Sequence, residues 1–192
     1  RKDQDLIKDF NLKVKEGMKV GIVGKTGAGK STIINLLMRF YRVNKGEILL
    51  DGMNINMLKK SDFRRQYGLV LQEPWLFEGT IFDNIAYGKK DASYEEVIEA
   101  SKLAGCHEFI SNLKDGYYTM YEEKGVISVG QKQLITIARA ILMNPAVIIL
   151  DEATSHIDSV MEKQISDAFK ELMKNKTTFM IAHRLKTIMD SD

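Results

Sequence analysis

A glycine-rich segment near the start of the chain has the residue types and the spacing of a phosphate-binding loop. The pattern Gly-x-x-x-x-Gly-Lys-Ser is matched by Gly24, Gly29, Lys30 and Ser31. The glycines allow successive backbone N–H groups to point inward as an anion nest. The Lys30 ammonium would reach the β- and γ-phosphates of a nucleotide, and the Ser31 hydroxyl would bind Mg²⁺. We expect the nucleotide to contact the whole loop, namely Gly24, Lys25, Thr26, Gly27, Ala28, Gly29, Lys30, Ser31 and Thr32. The alternative is a glycine-rich turn that happens to contain lysine and serine.

Two carboxylates follow a short apolar run, residues 147–150, that is typical of a buried strand. Asp151 and Glu152 would stand at the carboxyl end of that strand, the edge at which ligands bind in open α/β sheets. Asp151 would hold Mg²⁺ through water, and Glu152 would accept a proton from the attacking water. Taken alone, the pair could equally cap the next helix, because acidic residues favour helix starts. The complete phosphate loop in the same chain favours the catalytic interpretation.

Two further polar residues, Gln72 and His183, each follow a predicted strand. The Gln72 amide could coordinate Mg²⁺ or position water. A neutral His183 imidazole could contact a γ-phosphate and polarise the water. Either residue alone is more often a satisfied polar group than a catalytic one. The predicted convergence of several strand ends on one site therefore indicates function.

The elements that must position these residues alternate between strands and helices. Short apolar or alternating runs predict strands, and apolar residues at helical spacing predict helices. The predicted strands are residues 10–15, 20–23, 47–50, 67–71, 147–150 and 177–182, with 20–23 expected at the centre of a sheet. The predicted helices follow the phosphate loop, cover 97–104, run from Gly130 to Asn144-Pro145, and cover 161–172. This alternation predicts an α/β fold with a mostly parallel sheet.

Composition excludes several classes of protein. The 192 residues are 44% hydrophobic and 28% charged, which is ordinary for a soluble globular protein. The longest uninterrupted apolar run is residues 146–150, far short of the roughly 20 residues that span a bilayer. The net charge is +2 with both signs interspersed, and no basic stripe indicates a nucleic-acid partner. The lone Cys106 cannot form an internal disulfide.

Together these residues resemble the nucleotide-binding domain of ATP-binding cassette (ABC) transporters, specifically the exporter type. The phosphate loop, Gln72 and the strand that leads to Glu152 occur in the family's order. Residues 127–133, Ile-Ser-Val-Gly-Gln-Lys-Gln, look like the family's signature sequence, and His183 matches its switch histidine. Residues 155–158 match the loop after the catalytic glutamate, and residues 78–85 and 122–125 are characteristic of exporters.

The resemblance implies a fold and a division of the chain. The fold would be an α/β P-loop NTPase (RecA-like) core with a mostly parallel sheet, an antiparallel β portion near the N-terminus and an inserted α-helical subdomain. The core would comprise about residues 1–79 and 145–192, and the helical subdomain with the signature about residues 80–144. The chain would be a single domain truncated at both ends, and the aromatic residue that stacks on adenine in the family would lie before Arg1.

The resemblance also implies a motor. Two such domains sandwich two ATP molecules, and each ATP contacts the phosphate loop of one domain and the signature of the other, here Ser128, Gly130 and Gln131. Without the resemblance, the same segment is either an anion site at a helix start or simply a capped helix. The implied cofactors are ATP and Mg²⁺. The implied catalytic residues are Lys30, Gln72, Glu152 and His183, and the implied metal ligands are Ser31, Gln72 and Asp151.

The implied partners are a second nucleotide-binding domain, in a homodimer or a heterodimer, and transmembrane domains. The transmembrane domains would change the side of the membrane that they face. Coupling helices of those domains would contact the surface near Trp75, Phe77 and Phe82, although each aromatic could instead belong to the core. The domain would lie at the cytoplasmic face of a membrane, attached only through these transmembrane domains as part of an integral membrane transporter. The alternative is a soluble ABC-type ATPase that is not fused to a transporter. We expect no nucleic-acid partner.

Two positions depart from the family pattern. Val129 replaces the first glycine of the signature, and Leu134 stands where many relatives carry arginine. A β-branched residue adds bulk where the backbone must approach phosphate. One hypothesis is functional asymmetry, in which this chain pairs with a different cassette whose own site is less active. The other is that Val129 is a tolerated variant.

Overall fold

A sheet of four parallel strands lies at the centre of the fold. The computed structural model describes residues 7, 9–25, 27–123, 125–151 and 158–181. The strands in chain order are β1 (Lys19–Ile22), β2 (Leu49–Leu50), β3 (Met53–Asn54), β4 (Tyr67–Val70), β5 (Gly79–Thr80), β6 (Met120–Tyr121), β7 (Val147–Asp151) and β8 (Thr177–Ile181). The helices are α1 (Lys30–Leu37), α2 (Lys60–Arg65), α3 (Ile81–Ala86), α4 (Tyr94–Leu103), α5 (His107–Ser111), α6 (Val129–Met143) and α7 (Ser159–Met173). Short 3₁₀ turns occur at Ile55–Met57 and Gly116–Tyr118.

The strand order of the central sheet is β1-β8-β7-β4, and every pairing in it is parallel. Ile22 of β1 pairs with Ile181 of β8, and Ile181 pairs with Asp151 of β7. On the other side of β7, Leu150 pairs with Val70 of β4. The carboxyl ends of the four strands therefore share one edge of the sheet, called the carboxyl edge below. The parallel sheet predicted from the sequence is confirmed.

The central position predicted for residues 20–23 does not hold for the described residues. In the described part of the chain, β1 pairs only with β8, so it lies at the side of the sheet. Val20 and Ile22 pack against the cluster that contains Ile34 of α1. One covered face is thus enough to explain the apolar run. An edge strand that packs beneath a helix needs apolar residues, just as a central strand does.

Helices cover both faces of the sheet. Val147 and Ile149 of β7 belong to the cluster on the α1 side. Ile148 and Leu150 belong to a larger cluster that includes buried residues of α3, α4, α6 and α7. Because successive side chains of a strand point to opposite faces, β7 is buried on both sides, as its continuous apolar run predicts.

Helix α6 has well-defined ends. Ser128 caps its N-terminus, and the Gln131 side chain completes a capping box. Asn144 has a left-handed backbone with φ of 48°, and Pro145 follows without an N–H group that could extend the helix. The apolar stripe between these ends is buried. The helix predicted from Gly130 to Asn144-Pro145 is confirmed and begins one residue earlier, at Val129.

The antiparallel strands are short. β2 and β3 form a hairpin around the Asp51-Gly52 turn, and β5 pairs with β6. The strand predicted over residues 10–15 is wrong, because none of those residues is in a strand. Phe10 and Leu12 are each 56% exposed. An alternating pattern yields a strand only where a neighbouring strand and a covered face are available; in the described ranges, the antiparallel portion before β4 is the β2–β3 hairpin alone.

Helices α3 to α6 all fall between residues 81 and 143, in agreement with the predicted helical character of that stretch. They share a core cluster with β7 and α7. The division of the chain at about residues 80 and 144 stays a prediction. In the described ranges, no helix combines the length and the apolar character that a membrane crossing requires.

Removing side-chain volume from α7 should weaken the fold. Ile165 is fully buried in the larger cluster, so Ile165→Ala should lower the free energy of unfolding by about 2–5 kcal/mol through lost contacts and a cavity. The control is Val160→Ala in the same helix, where Val160 is 69% exposed; it should change that free energy by no more than about 0.5 kcal/mol. Urea unfolding followed by circular dichroism measures both. Equal effects of the two substitutions would contradict the packing described above.

Candidate functional site

The loop between β1 and α1 begins at the carboxyl edge. Gly27 and Gly29 have φ values of 84° and 91°, which residues with side chains rarely adopt. Gly29 precedes the first turn of α1, and its carbonyl accepts a hydrogen bond of 3.0 Å from the N–H of Ile33. Gly27 and Gly29 are therefore needed for the turn that brings the start of α1 to this edge, and Gly29 is the second glycine of the sequence pattern.

The same loop gathers positive charge and N–H donors. Lys30 Nζ donates hydrogen bonds to the carbonyls of Gly24 (2.7 Å) and Lys25 (3.2 Å), so its ammonium lies against the loop. The N–H groups of Lys30, Ser31 and Thr32 stand in the first turn of α1, where the helix offers no acceptor four residues earlier. The loop contains two lysines and no carboxylate. This arrangement suits a phosphate group, which the donors and the dipole of a helix start attract.

Asp151 and Gln72 approach the same edge from neighbouring strands. Asp151 is the last residue of β7 and pairs with Ile181 of β8. Gln72 follows the end of β4 at Val70 by two residues. Adjacent strands lie about 4.8 Å apart. Asp151 is therefore one strand away from the strand that leads to Gln72, and two strands away from the strand that leads to the phosphate loop.

The side chains predicted for the carboxyl edge suit a nucleotide-bound Mg²⁺. In the described ranges, no group of three or more His, Cys, Asp or Glu side chains could hold a metal ion. Ser31, Gln72 and Asp151 offer a hydroxyl, an amide oxygen and a carboxylate. Mg²⁺ commonly takes one or two carboxylates and completes its coordination with water and substrate phosphates. The donor set is therefore suitable for Mg²⁺ with a nucleotide.

Several predicted site residues, Thr26, Glu152 and His183, lie outside the described residues, as do residues 155–157. Their roles stay predictions. Asp158 is described, and its carboxylate accepts hydrogen bonds from the N–H groups of Val160 (3.1 Å) and Met161 (3.0 Å). It therefore caps α7 immediately after the predicted catalytic segment.

The start of α6 presents Ser128 and Val129 at the surface, whereas Gly130 is buried. Ser128 Oγ accepts a hydrogen bond of 3.2 Å from the N–H of Gln131, and Gln131 Oε1 accepts one of 3.0 Å from the N–H of Ser128. The segment is therefore a capped helix start, which was one of the two interpretations of the sequence. Ser128 is exposed, and the cap uses its hydroxyl only as an acceptor. The hydroxyl proton can still be donated to an anion, so the two interpretations are compatible.

Gly130 is required by packing, whereas Val129 is not constrained in this way. A Cβ atom at Gly130 would lie 2.3 Å from Cγ and 2.9 Å from Sδ of Met161 in α7. The side chain of Val129 is 60% exposed and lies on the surface. The departure at Val129 is therefore compatible with the fold of this chain, and any effect of its bulk would fall on a molecule that faces the signature.

Three polar residues near the site have hydrogen bonds that the sequence interpretation missed, namely Gln133 and Arg139 of α6 and Asn84 of α3. They bond to the backbone on both sides of Gln72. Arg139 gives a signal in the sequence, because a charged residue inside an apolar helical stripe must find a partner when it is buried. Asn84 gives none, since an asparagine in a short amphipathic segment is ordinary.

Comparisons with known proteins agree with this geometry. Residues 7–155 match the family model described as ABC transporter. The chain is 49% identical over 188 residues to the fatty acid ABC transporter ATP-binding/permease protein of Mycobacterium tuberculosis (strain CDC 1551 / Oshkosh), a match that covers 97% of this chain and 30% of that protein. It is 48% identical over 190 residues to the putative multidrug export ATP-binding/permease protein YgaD of Bacillus subtilis (strain 168), covering 98% of this chain and 33% of that protein.

A solved structure of a bacterial Atm1-family ABC exporter with ATP bound also matches, with a TM-score of 0.89 and 42% identity. The match covers 100% of this chain and 34% of that chain. The predicted fold class, a P-loop NTPase core with a mostly parallel sheet, is confirmed. The chain spans about a third of the length of these relatives.

Placing a side chain at Gly130 should disturb the contact between α6 and α7. Gly130→Ala should lower the free energy of unfolding by about 1–2 kcal/mol, because the overpacking against Met161 outweighs the higher helix propensity of alanine. Val129→Ala, at the exposed neighbouring position, is the matched control and should change it by no more than about 0.5 kcal/mol. Adding Met161→Ala to Gly130→Ala should cost less than the sum of the two single effects. A strictly additive pair, measured by urea unfolding, would show that the predicted clash does not occur.

Proposed function

The chain belongs to the ABC transporter family and is a nucleotide-binding domain of the exporter type, and we propose that it hydrolyses ATP to drive export by membrane-spanning domains. The observation that carries the proposal is the convergence of the phosphate loop, Asp151 and Gln72 at the carboxyl edge. Phosphate binding alone would require only the loop. A metal ligand and a polar side chain beside the loop suit the transfer of a phosphoryl group to water.

The loop would hold the phosphates of ATP. Lys30 would move its ammonium from the loop carbonyls to the β- and γ-phosphates, and the N–H groups at the start of α1 would donate to the same oxygens. Ser31, Gln72 and Asp151 would hold Mg²⁺, Asp151 through water. When bound there, Mg²⁺ would neutralise negative charge on the β- and γ-phosphates.

The chain's own residues would then prepare a water molecule for attack on the γ-phosphorus. Glu152 would accept a proton from that water, which makes it a better nucleophile. Gln72 would orient the water, and the neutral imidazole of His183 would contact the γ-phosphate. The products are ADP and inorganic phosphate. The support for Glu152 is its place directly after Asp151, whose strand ends at the carboxyl edge.

A second nucleotide-binding domain would complete each ATP site, in a homodimer or a heterodimer. Supporting this, Ser128 and Val129 are exposed at the start of α6, where the Ser128 hydroxyl and the first-turn N–H groups that the capping box does not use can meet an anion. Val129 would bring its side chain to the ATP bound by the facing domain. This contact is the basis for the hypothesis of functional asymmetry between two different cassettes; the alternative is that Val129 is a tolerated variant.

The membrane-spanning partners are proposed from the relatives, whose names join an ATP-binding part to a permease. Coupling helices of such domains would contact the surface near Trp75, which is 59% exposed. Phe77 and Phe82 are partly buried and would contribute less area. The domain would then work at the cytoplasmic face of a membrane as part of an integral transporter. The same names favour this function over a soluble ATPase that is not fused to a transporter.

Glu152→Gln should separate nucleotide binding from hydrolysis. The amide cannot accept the proton, so ATP turnover should fall by roughly 10²-fold or more. The dissociation constant of ATP should stay within about twofold, because the phosphate loop is unchanged. Phosphate release measures turnover, and displacement of a fluorescent ATP analogue measures binding, both in the full-length protein that carries this chain.

The matched control is Glu99→Gln, which makes the same chemical change at an exposed position of α4 and should leave both quantities unaltered. Turnover of the Glu152→Gln variant within about twofold of the unmodified protein would reject Glu152 as the general base.

A further inference from the structure

The backbone that follows Gln72 is held by a side chain that lies far along the chain. Arg139 of α6 donates from Nη1 to the carbonyl of Trp75 at 3.1 Å. The same guanidinium donates from Nε to the carbonyl of Asn84 at 2.7 Å, and from Nη2 to Asn84 Oδ1 at 2.9 Å. One arginine therefore links the segment after Gln72 to both α6 and α3.

Asn84 extends this link. Its side chain is fully buried, and its Nδ2 donates to the carbonyls of Phe77 and Thr80, each at 3.0 Å. Its Oδ1 accepts from the N–H of Phe77 at 3.1 Å. The amide thus bonds the segment from Phe77 to Thr80 on both its donor and its acceptor side. Because leaving these buried groups unpaired is costly, the segment is held firmly against α3.

The environment of Arg139 makes the anchor stiff. Its guanidinium lies 5.9 Å from the ring centroid of Trp75 and 5.8 Å from that of Tyr87. Burial lowers the pKa of Arg139 to about 10, so the group stays charged at neutral pH. A partly desolvated cation that is bonded to carbonyl oxygens loses much when any of those bonds is broken.

On its other side, Gln72 is joined to the sheet. Strand β4 ends at Val70, which pairs with Leu150, and the carbonyl of Leu71 accepts a hydrogen bond of 3.5 Å from Gln133 Nε2. Gln72 therefore stands between a strand end and a segment that Arg139 fixes to α6. The same helix carries Ser128 at its start.

We propose that Arg139, acting with Asn84, is a positioning residue for Gln72. It ties the backbone after Gln72 to the helix that carries the signature, so a shift of α6 relative to the sheet moves Gln72 at the carboxyl edge. This inference rests on the proposed function, because Gln72 matters only if the site hydrolyses ATP. It assigns Arg139 no contact with the nucleotide.

The chain offers a matched control in Arg39. Its Nη1 donates to the carbonyl of Leu58 at 2.8 Å, and its guanidinium lies 5.4 Å from the ring centroid of Phe63. Arg39 thus has the same kind of contacts as Arg139, but they do not involve the segment after Gln72. Arg39→Lys and Arg139→Lys remove the same chemistry from two places in the fold.

The test is a double-mutant cycle on ATP turnover with Arg139→Lys and Gln72→Ala. Lysine keeps the charge, but its single ammonium cannot join the three acceptors that the planar guanidinium joins at once. Arg139→Lys should reduce turnover roughly 10- to 100-fold, since a misplaced catalytic group costs this much. The dissociation constant of ATP should change less than about twofold, because the phosphate loop is intact. Turnover and binding of Arg39→Lys should match those of the unmodified chain.

If Arg139 acts through Gln72, adding Arg139→Lys to Gln72→Ala should change turnover by no more than about twofold. Independent effects that multiply would overturn the proposal, as would full turnover in Arg139→Lys. Lys30→Ala distinguishes a failure of the proposed function from a failure of the positioning role alone. If it fails to weaken nucleotide binding, or if the unmodified protein does not hydrolyse ATP, the proposed function itself fails. If those hold and the effects multiply, only the positioning role fails.

A second measurement applies even where Arg139→Lys does not fold. Asn84→Asp keeps an oxygen acceptor for Arg139 but removes the donors to Phe77 and Thr80, and it should show the same non-additivity with Gln72→Ala. Trp75 is the only tryptophan among these 192 residues, so acrylamide quenching of the fluorescence of the 192-residue chain reports on the segment directly. Quenching should rise in Asn84→Asp and stay unchanged in Arg39→Lys. Unchanged quenching in Asn84→Asp would overturn the proposal.

Discussion

Parallel strands that pair in register end at the same edge of a sheet, and here the pairing of Ile22 with Ile181, and of Ile181 with Asp151, fixes where each functional loop begins. The core enforces this register. Val147 and Ile149 pack beneath α1, while Ile148 packs beneath α6 and α7. A slip of one residue would turn each of these side chains to the opposite face. The burial of β7 therefore determines that Asp151 ends at the same edge of the sheet as the strand that leads to the phosphate loop.

Helix α6 adds a second level of organisation. Its first turn packs against α7 through Gly130, and Gln133 and Arg139 bond to the backbone on the two sides of Gln72. Helix α6 therefore carries most of the signature in its first turns. The same helix contacts the Gln72 loop and α7, the helix that follows the predicted catalytic segment. The residues that would serve two different ATP molecules are thus connected within one chain by packing and hydrogen bonds.

Sequence reasoning succeeded where the physical signal is local. The glycine spacing that the loop needs, the continuous apolar run of β7 and the end of α6 at Asn144-Pro145 all depend on neighbouring residues, and each agrees with the structure. It failed where the outcome depends on distant partners. Residues 10–15 alternate like a strand but are not in one, and the partners of Arg139 lie 55 and 64 residues away. A pattern on one segment cannot show which other segment will cover it.

If the sheet register brings three distant parts of the chain to one metal–nucleotide site, an iron ion bound there in place of Mg²⁺ should cleave the backbone at all three. Fe²⁺ supplied with ATP in place of Mg²⁺, then treated with ascorbate and hydrogen peroxide, generates hydroxyl radicals that cut the backbone near the bound ion. We expect cuts near Ser31, Gln72 and Asp151, all suppressed by excess Mg²⁺ and all absent without ATP. Cleavage near Ser31 alone would mean that the loop binds the metal–nucleotide complex without the other two strand ends. It would show that the sheet register does not bring Gln72 and Asp151 to the metal.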